Sequence, residues 1–223
     1  MGAIRHVIWD FNGTLLDDVD PCVDTVNSIL AEHARPPLTR GDYLARFGFP
    51  VRDFYADLGI ELDARGFERL SRTYIDRYLV RLEGVEPRAD AHAAMRALAA
   101  LAVEQSVLSA MESRLLEHLL QRFGLRDHVA RVRGLDDYHA GSKTALGVDL
   151  ARELELDPTE ILLVGDTLHD FEVAQEIGCA CLLYARGHQA PERLAVAGVP
   201  IVESLVDVVD HLGSATPART RRQ

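Results

Sequence analysis

The chain reads Val-Ile-Trp-Asp-Phe-Asn-Gly-Thr over residues 7–14, an apolar run that leads straight into a carboxylate and a glycine turn. A short apolar run is typical of a strand buried in a parallel sheet. Open sheets of this kind bind their ligands beyond the carboxyl ends of the strands. Asp10 stands at that end of the predicted strand, and we interpret it as a nucleophile.

Further strands, each separated from the next by a helical segment, are predicted after residue 87. They lie near residues 107–109, 129–132, 161–165, 180–184 and 200–202. This alternation predicts an α/β fold, a doubly wound, Rossmann-like parallel sheet covered on both faces. Residues 17–87 differ, because prolines and glycines break their helical segments, and they are interpreted as a small inserted α-helical cap domain. The core domain is predicted to comprise residues 1–16 and 88–212, and residues 213–223 are predicted to form a mobile tail.

The composition is typical of a globular protein. The chain has 223 residues, 48% of them hydrophobic, and a net charge of −11. Its one basic cluster is Arg219, Arg221 and Arg222, so no nucleic-acid partner is expected. No stretch approaches the roughly 20 apolar residues of a membrane span, and no charged leader precedes an apolar segment, so no membrane association is expected and the protein is expected in the cytoplasm.

Three aspartates are candidate metal ligands. Asp166 follows the predicted strand 161–165, Asp170 begins the next helix, and Asp10 ends the first strand. Because these strand ends meet at one edge of a parallel sheet, the three carboxylates are expected to converge on one crevice. Hard oxygen ligands without a Cys or His pair favour octahedral Mg²⁺ over zinc. For Asp166 and Asp170 taken alone, helix capping is the alternative.

Ser109 and Lys143 are candidates for the same crevice. The Ser109 hydroxyl, with the backbone N–H groups that follow it at Ala110, suits a phosphoryl group, and so does a fixed positive charge at Lys143. Lys143 is the one lysine among 24 Lys and Arg residues, which indicates a position that needs a compact ammonium. Thr14 is expected to orient the Asp10 carboxylate or to begin the next helix.

In order and spacing, four segments of the chain resemble the motifs of the haloacid dehalogenase superfamily. They are residues 10–15, Ser109, Lys143 and residues 165–170. The insertion resembles the helical cap of the phosphoglycolate phosphatase and β-phosphoglucomutase branch. Its residues 46–52 are similar to the cap segment that reaches over the substrate. Arg46 and Arg52 are therefore candidate contacts to an anionic substrate, with a solvated position as the alternative.

The resemblance implies a phosphatase acting on a small phosphorylated metabolite. Asp10 would attack the phosphorus, and water would then cleave the aspartyl-phosphate. The resemblance also implies that Mg²⁺ is held by Asp10, the backbone carbonyl of Asn12 and Asp166, with Asp170 acting directly or through water. Neither the particular substrate nor the oligomeric state is predicted.

Asn12 departs from the family pattern. In the family's phosphatases this residue is an Asp that protonates the leaving oxygen, and an Asn side chain does not titrate. Loss of general acid–base assistance costs about 10² to 10⁴ in rate. One interpretation is a slow or unusual phosphatase that acts on substrates such as acyl phosphates. His139 or His169 is a candidate substitute acid, with an exposed loop histidine as the alternative for each.

Other interpretations of Asn12 remain open. A phosphonate-cleaving relative would need a lysine in the cap, and residues 17–87 contain none. A carbon–halogen hydrolase would not need Asp166 and Asp170. A phospho-ligand-binding or regulatory protein with a weakened site is the alternative from another functional class. Two further interpretations are that the asparagine was introduced into the sequence, or that it deamidates to a carboxylate in a fraction of the protein molecules.

Overall fold

In a computed structural model, which describes residues 3–136 and 142–214, the core is a six-stranded sheet. Along the sheet the order is β3-β2-β1-β4-β5-β6, and every neighbouring pair is parallel. The strands are β1 His6–Trp9, β2 Glu104–Glu112, β3 Arg131–Leu135, β4 Ile161–Gly165, β5 Ala180–Tyr184 and β6 Ile201–Val202. This topology confirms the predicted α/β fold with a doubly wound parallel sheet.

Strand β1 lies in the middle of the sheet, and its residues 7–9 are apolar on both faces. Val7 and Trp9 pack into the larger core cluster, whereas Ile8 packs on the opposite face with Leu108 and Leu163. Val7, Ile8 and Trp9 have no exposed surface. Neighbouring residues of a strand point to opposite faces, so a strand covered by helices on both sides is mostly apolar, and the one polar residue of β1, His6, is bonded to Ser106.

Residues 17–87, which we call the helical insertion, contain four helices. These are α1 Val19–Glu32, α2 Arg40–Arg46, α3 Val51–Asp57 and α4 Ala64–Arg81. The two segments that join the insertion to the sheet lie side by side. The Arg88 N–H donates to the Leu15 carbonyl at 2.8 Å, and the Asp17 N–H donates to the Glu86 carbonyl at 3.3 Å. The insertion therefore leaves the sheet and returns to it at adjacent points, while its status as a separate domain stays a prediction.

The remaining helices cover the sheet. They are α5 Ala91–Ala100, α6 Ser113–Arg122, α7 Thr144–Glu153, α8 Leu168–Ile177, α9 Pro191–Leu194 and α10 Val206–Ser214. Within the described residues, no helix combines the length and the apolar character needed to cross a bilayer.

Two boundaries differ from the sequence predictions. Strand β2 continues past Ser109 to Glu112, with a register shift against β3 between Leu108 and Glu112, so Ser109 lies at an irregularity rather than at the strand end. Helix α10 was not predicted, and it contains Gly213 and Ser214, which were assigned to the tail. Residues 215–223 lie outside the described part of the chain.

Candidate functional site

Three buried carboxylates meet at the carboxyl edge of the sheet. Asp10 follows β1, Asp166 follows β4, and Asp170 lies in the first turn of α8. The ligand oxygens of these three residues all lie within 4.8 Å of one another. Because the carboxyl ends of the parallel strands meet at one edge, residues that are far apart in sequence lie together there.

Lys143 is the cation that Asp10 and Asp170 share. It is 3% exposed, and it precedes α7. Its Nζ contacts Asp10 Oδ1, lies 2.7 Å from Asp170 Oδ1 and donates to the Leu108 carbonyl at 3.2 Å. Burial alone would lower the pKa of Lys143, but the charges of Asp10 and Asp170 outweigh it and raise this pKa. Lys143 is therefore a fixed positive charge. We call Asp10, Lys143, Asp166 and Asp170 the charged floor.

One ammonium does not balance the carboxylates of the charged floor. Burial raises the pKa of Asp10, the Lys143 charge offsets only part of this, and Asp170 and Asp166 raise the pKa further. The pKa of Asp166 is also raised by burial. Burial acts in the same direction on Asp170, but the nearby Lys143 ammonium outweighs it and lowers that pKa. The surplus of negative charge among these carboxylates favours the binding of a further cation.

Asp166 is held by groups from two other segments. The Thr14 hydroxyl donates to Asp166 Oδ1 at 2.9 Å, and the His188 backbone N–H donates to Oδ2 at 2.5 Å. Thr14 therefore orients Asp166, and the expectation that it orients Asp10 was wrong. Gly13 and Gly187 both pass so close to Asp166 that a Cβ at either position would overlap its carboxylate. Only glycine allows this close approach.

Asp170 serves two purposes. Its Oδ2 accepts hydrogen bonds from the Thr167 N–H at 3.0 Å and the Thr167 hydroxyl at 2.7 Å, which ties down the start of α8. Its Oδ1 is buried and lies near Lys143 Nζ, yet accepts no directed hydrogen bond from the described residues. Helix capping and a place in the charged floor are thus compatible, because each uses a different oxygen.

The Asn12 amide is fixed on both sides. Its Nδ2 donates to Asp18 Oδ2 at 2.7 Å and to the Tyr78 hydroxyl at 2.8 Å, and its Oδ1 lies 3.5 Å from the Ser109 hydroxyl. Because a carboxylate only accepts hydrogen bonds, Asp18 requires the Nδ2 of Asn12 to face it. Tyr78 also donates to Asp18 at 2.6 Å. The group that Asn12 turns towards Ser109 is therefore an acceptor.

Asp18 and His188 form a buried pair beside Asn12. His188 Nε2 lies 3.3 Å from Asp18 Oδ1, and its Nδ1 lies 3.0 Å from the Tyr43 hydroxyl. Burial opposes ionisation of Asp18, but the charge of His188 and three hydrogen bonds outweigh it and bring the pKa of Asp18 to about 2. The pKa of His188 is raised despite burial, first by the charge of Asp18.

Sequence reasoning missed Asp18, His188 and Tyr78. His188 follows β5, so the rule that placed Asp10 and Asp166 at strand ends applied to it as well. Asp18 lies just beyond the motif that contains Asn12. Because Asn12 has amide N–H groups where the family has a carboxyl, it was a reason to look for a carboxylate partner nearby. Tyr78 lies in α4 of the insertion, and its sequence context contained no signal.

His169, one of the two histidines considered as substitute acids, is not placed for that role. His169 Nε2 accepts from the Lys143 backbone N–H at 3.3 Å, so the ring proton lies on Nδ1, which faces Glu172 at 3.1 Å. The ring packs against Phe49 with a centroid distance of 4.8 Å and does not line the cavity described below. His139 lies outside the described residues.

Ser109 and Ala110 border the charged floor. Ser109 is 1% exposed, its Oγ accepts from the Met111 N–H at 3.1 Å, and both residues line the same cavity as Asp10 and Lys143. The irregularity in β2 at this point separates its backbone from the regular ladder with β3. The four segments predicted to converge do so.

A cavity of about 140 Å³ separates the charged floor from the helical insertion. Seven aromatic side chains of the insertion line it, and we call them the aromatic roof: Tyr43, Phe47, Phe49, Phe54, Tyr55, Tyr74 and Tyr78. The rings support one another, as in the Tyr43–Phe47 stack with centroids 5.0 Å apart. The cavity therefore has a charged end and an apolar end.

Arg46 and Arg52 do not line the cavity. The Arg46 guanidinium binds the Asp57 carboxylate at 2.9 Å and the Asp57 backbone carbonyl at 2.6 Å. The Arg52 guanidinium lies over the Phe67 ring, 5.0 Å from its centroid. Because each side chain is used within the insertion, neither belongs to the site, and their expected contact to the substrate is not supported.

Comparison with known proteins identifies the class. Residues 7–184 match the family model of haloacid dehalogenase-like hydrolases, which covers most of the chain. The protein belongs to the haloacid dehalogenase-like hydrolase family, and it is a hydrolase. The fold agrees with solved structures. A haloacid dehalogenase-like hydrolase from Streptococcus pneumoniae superposes with a TM-score of 0.80 at 15% identity, over 95% of this chain and 99% of that one.

Other relatives are similar along most of their length. A phosphoglycolate phosphatase from Chromobacterium violaceum is 25% identical over 192 residues, which are 83% of this chain and 86% of the relative. An N-acetylmuramic acid 6-phosphate phosphatase from Pseudomonas aeruginosa is 25% identical over 217 residues, 93% of this chain and 96% of the relative. A hydrolase of known structure from Pseudomonas syringae has a TM-score of 0.77 at 19% identity, over 95% of this chain and 99% of that one.

Proposed function

We propose that the protein is a Mg²⁺-dependent phosphatase that cleaves the monoester of a small phosphorylated metabolite through an aspartyl-phosphate. The observation that carries the proposal is the charged floor, in which a buried nucleophile candidate, Asp10, shares one ammonium with Asp170 at the end of a cavity. The names of the relatives, which are phosphatases, support it.

The residues present fit a magnesium ion. Asp10, Asp166, Asp170 and the backbone carbonyl of Asn12 would hold it, since hard oxygen ligands are those that Mg²⁺ prefers. The excess of carboxylates over cations and the undirected Asp170 Oδ1 support this assignment. When bound, the ion would offset negative charge on the phosphoryl group and on these carboxylates.

The remaining chemistry is assigned to side chains of this chain. A carboxylate oxygen of Asp10 attacks the phosphorus, the ester P–O bond breaks, and the leaving oxygen keeps the electron pair. Lys143, the Ser109 hydroxyl and the N–H of Ala110 stabilise the phosphoryl oxygens. Water then cleaves the aspartyl-phosphate, which releases inorganic phosphate and restores the carboxylate.

Asn12 does not supply the proton that an alkyl leaving group needs. Both of its amide hydrogens are used by Asp18 and Tyr78, and both ring nitrogens of His188 are used by Asp18 and Tyr43. Turnover should therefore depend steeply on the stability of the leaving anion. Asn12 Oδ1 is an acceptor that can orient water but does not take its proton.

Asn12 fits its surroundings as an asparagine. A carboxylate in its place would meet the Asp18 carboxylate at hydrogen-bond distance, with no proton between them. The amide instead donates a hydrogen bond to Asp18. The Gly13 N–H, which must attack the amide carbon for deamidation, donates to Asp18 Oδ1 at 2.7 Å. Both contacts favour an asparagine that is retained rather than deamidated.

The test is hydrolysis of an aryl phosphate, 4-nitrophenyl phosphate, with and without Mg²⁺. We expect slow but measurable hydrolysis that stops when EDTA removes the metal and is absent in Asp10→Ala. Asp149→Ala is the matched control, because Asp149 forms only an exposed pair with Arg152. Activity that survives in Asp10→Ala would contradict the proposed nucleophile.

A phospho-ligand-binding or regulatory protein is the second candidate function, and the observation that favours it is the fully bonded Asn12 amide. In that case inorganic phosphate would bind in the presence of Mg²⁺ and no phosphate ester would be turned over. Calorimetric titration with phosphate, beside the hydrolysis assay, separates the two functions.

A further inference from the structure

The roof of the cavity has no cation to offer a substrate. Residues 17–87 are all described, and none of their arginines lines the cavity. The cations that do line it come from outside the insertion and are already paired, Lys143 with Asp10 and Asp170, and His188 with Asp18. Glu112 adds a further carboxylate to the lining. A second anionic group on a substrate would therefore be buried without a partner.

The apolar end favours a ring. Tyr43, Phe47 and Phe54 contact one another edge to face or in a stack, with centroids 5.0 to 5.8 Å apart. These contacts hold the rings in a defined arrangement. Aromatic side chains bind other rings in the same geometries. The lining between them, including Val26, Val51 and Ile75, is aliphatic.

Three tyrosines of this wall offer a substrate their rings rather than a free hydroxyl. The Tyr55 side chain lines the cavity, but its hydroxyl oxygen has almost no accessible surface, so the part of Tyr55 that meets the cavity is its ring. The tyrosine hydroxyls of Tyr43 and Tyr78 are already bonded, to His188 and to Asp18.

We propose that the substrate is the phosphate monoester of an uncharged aromatic hydroxyl compound, with no carboxylate or second phosphate. This rests on the proposed function and names its substrate class. It separates the protein from its relatives, because phosphoglycolate and N-acetylmuramic acid 6-phosphate both carry a carboxylate.

The state of Asn12 agrees with this class for an independent reason. A phenolate leaves without prior protonation, so an aromatic hydroxyl compensates for the acid that Asn12 cannot be. When the P–O bond breaks, the phenolate keeps the electron pair and takes its proton from water after it departs. The charged floor and the aromatic roof thus favour the same class of substrate.

The test uses phosphonates that cannot be hydrolysed, so that binding is measured apart from turnover. Calorimetry with Mg²⁺ present would compare benzylphosphonate with 4-carboxybenzylphosphonate. We expect the carboxylate to weaken binding by at least ~10-fold, because it is left unpaired. Equal or tighter binding of the carboxylate would overturn the inference while leaving the proposed function intact. If neither phosphonate binds while 4-nitrophenyl phosphate is hydrolysed with Mg²⁺, the inference is overturned and the proposed function stands. If that hydrolysis is absent as well, the proposed function itself fails.

A charge introduced into the roof provides the matched variant. Ile75 lines the cavity, whereas Val80, on the same helix α4, is 71% exposed. Ile75→Arg should reverse the preference between the two phosphonates, and Val80→Arg should leave it unchanged. A preference that is unchanged in Ile75→Arg would show that the ring does not lie against this wall, and it would contradict the inference.

Discussion

The charged floor and the aromatic roof enclose one cavity but are built in opposite ways. In the floor, every side chain is fixed by partners from other segments, as when Thr14 and His188 hold Asp166. In the roof, the rings contact one another, and the arginines of the insertion turn away to partners such as Asp57 and Phe67. Under the proposed function, the floor would determine the reaction and the roof would determine which compound carries the phosphate.

The largest effect should come from the ammonium of the floor. Lys143 is enclosed by Asp10, Asp170 and the Leu108 carbonyl, so the broader guanidinium of Lys143→Arg does not fit although it keeps the charge. We expect kcat/KM for 4-nitrophenyl phosphate to fall at least ~10²-fold. The reverse exchange Arg186→Lys, at an exposed pair with Glu203, is the control. A loss below about threefold would contradict the need for a compact cation.

A smaller effect, and a selective one, should follow from Asn12→Asp. The new carboxyl would face Asp18 across a hydrogen-bond distance, and two like charges there raise its pKa, so it holds a proton near neutral pH. We expect hydrolysis of an alkyl phosphate to rise ~10²-fold and that of 4-nitrophenyl phosphate to change only a few-fold. Because the protonated form donates, the gain should disappear as the pH rises through this pKa.

The double variant Asn12→Asp with Asp18→Asn is the control for that result. It keeps one amide and one carboxyl but exchanges their places, so the carboxyl at residue 12 no longer faces a like charge and its pKa returns towards the ordinary value. The pH at which the alkyl phosphatase activity disappears should then be lower than in the single variant. Equal gains on alkyl and aryl phosphates would contradict the role assigned to the missing proton.

The smallest effect should come from the contacts between roof and core. The Arg193 guanidinium donates to the Phe47 carbonyl at 2.5 Å, and the Gln189 side chain donates to the same carbonyl at 2.9 Å. Arg193→Ala removes one of these bonds and should raise KM for 4-nitrophenyl phosphate about 5-fold, with kcat unchanged within twofold. Arg186→Ala, at an exposed surface pair, should change neither constant. A fall in kcat alone would show that Arg193 acts on the floor instead.

The floor was predictable from sequence because strand ends of a parallel sheet converge, whatever the packing. Asp10, Lys143, Asp166 and Asp170 lie together as expected. The hydrogen-bond partners of these side chains were not predictable in the same way, since the sequence does not show whether the Thr14 hydroxyl faces Asp10 or Asp166. In the structure the hydroxyl donates to Asp166.

The roof was not predictable, because an arginine that binds a substrate and one that pairs within its own helices look alike in a sequence. Arg46 and Arg52 lie in the expected segment, but Asp57 and Phe67 take their guanidinium groups. Tyr55 and Tyr78 are separated by 23 positions and meet the cavity only through the packing of α3 and α4. Helix packing of this kind depends on side-chain shape more than on pattern.

The two segments that carry the chain out of the sheet and back run side by side at Leu15 and Arg88. The ends of the insertion are therefore already joined at short range, and closing a longer or shorter loop between them costs little extra free energy. Over evolutionary time, a whole roof can be exchanged for another while the register of β1 against β2 stays as it is. The same reactive edge is then inherited unchanged by descendants that handle different compounds.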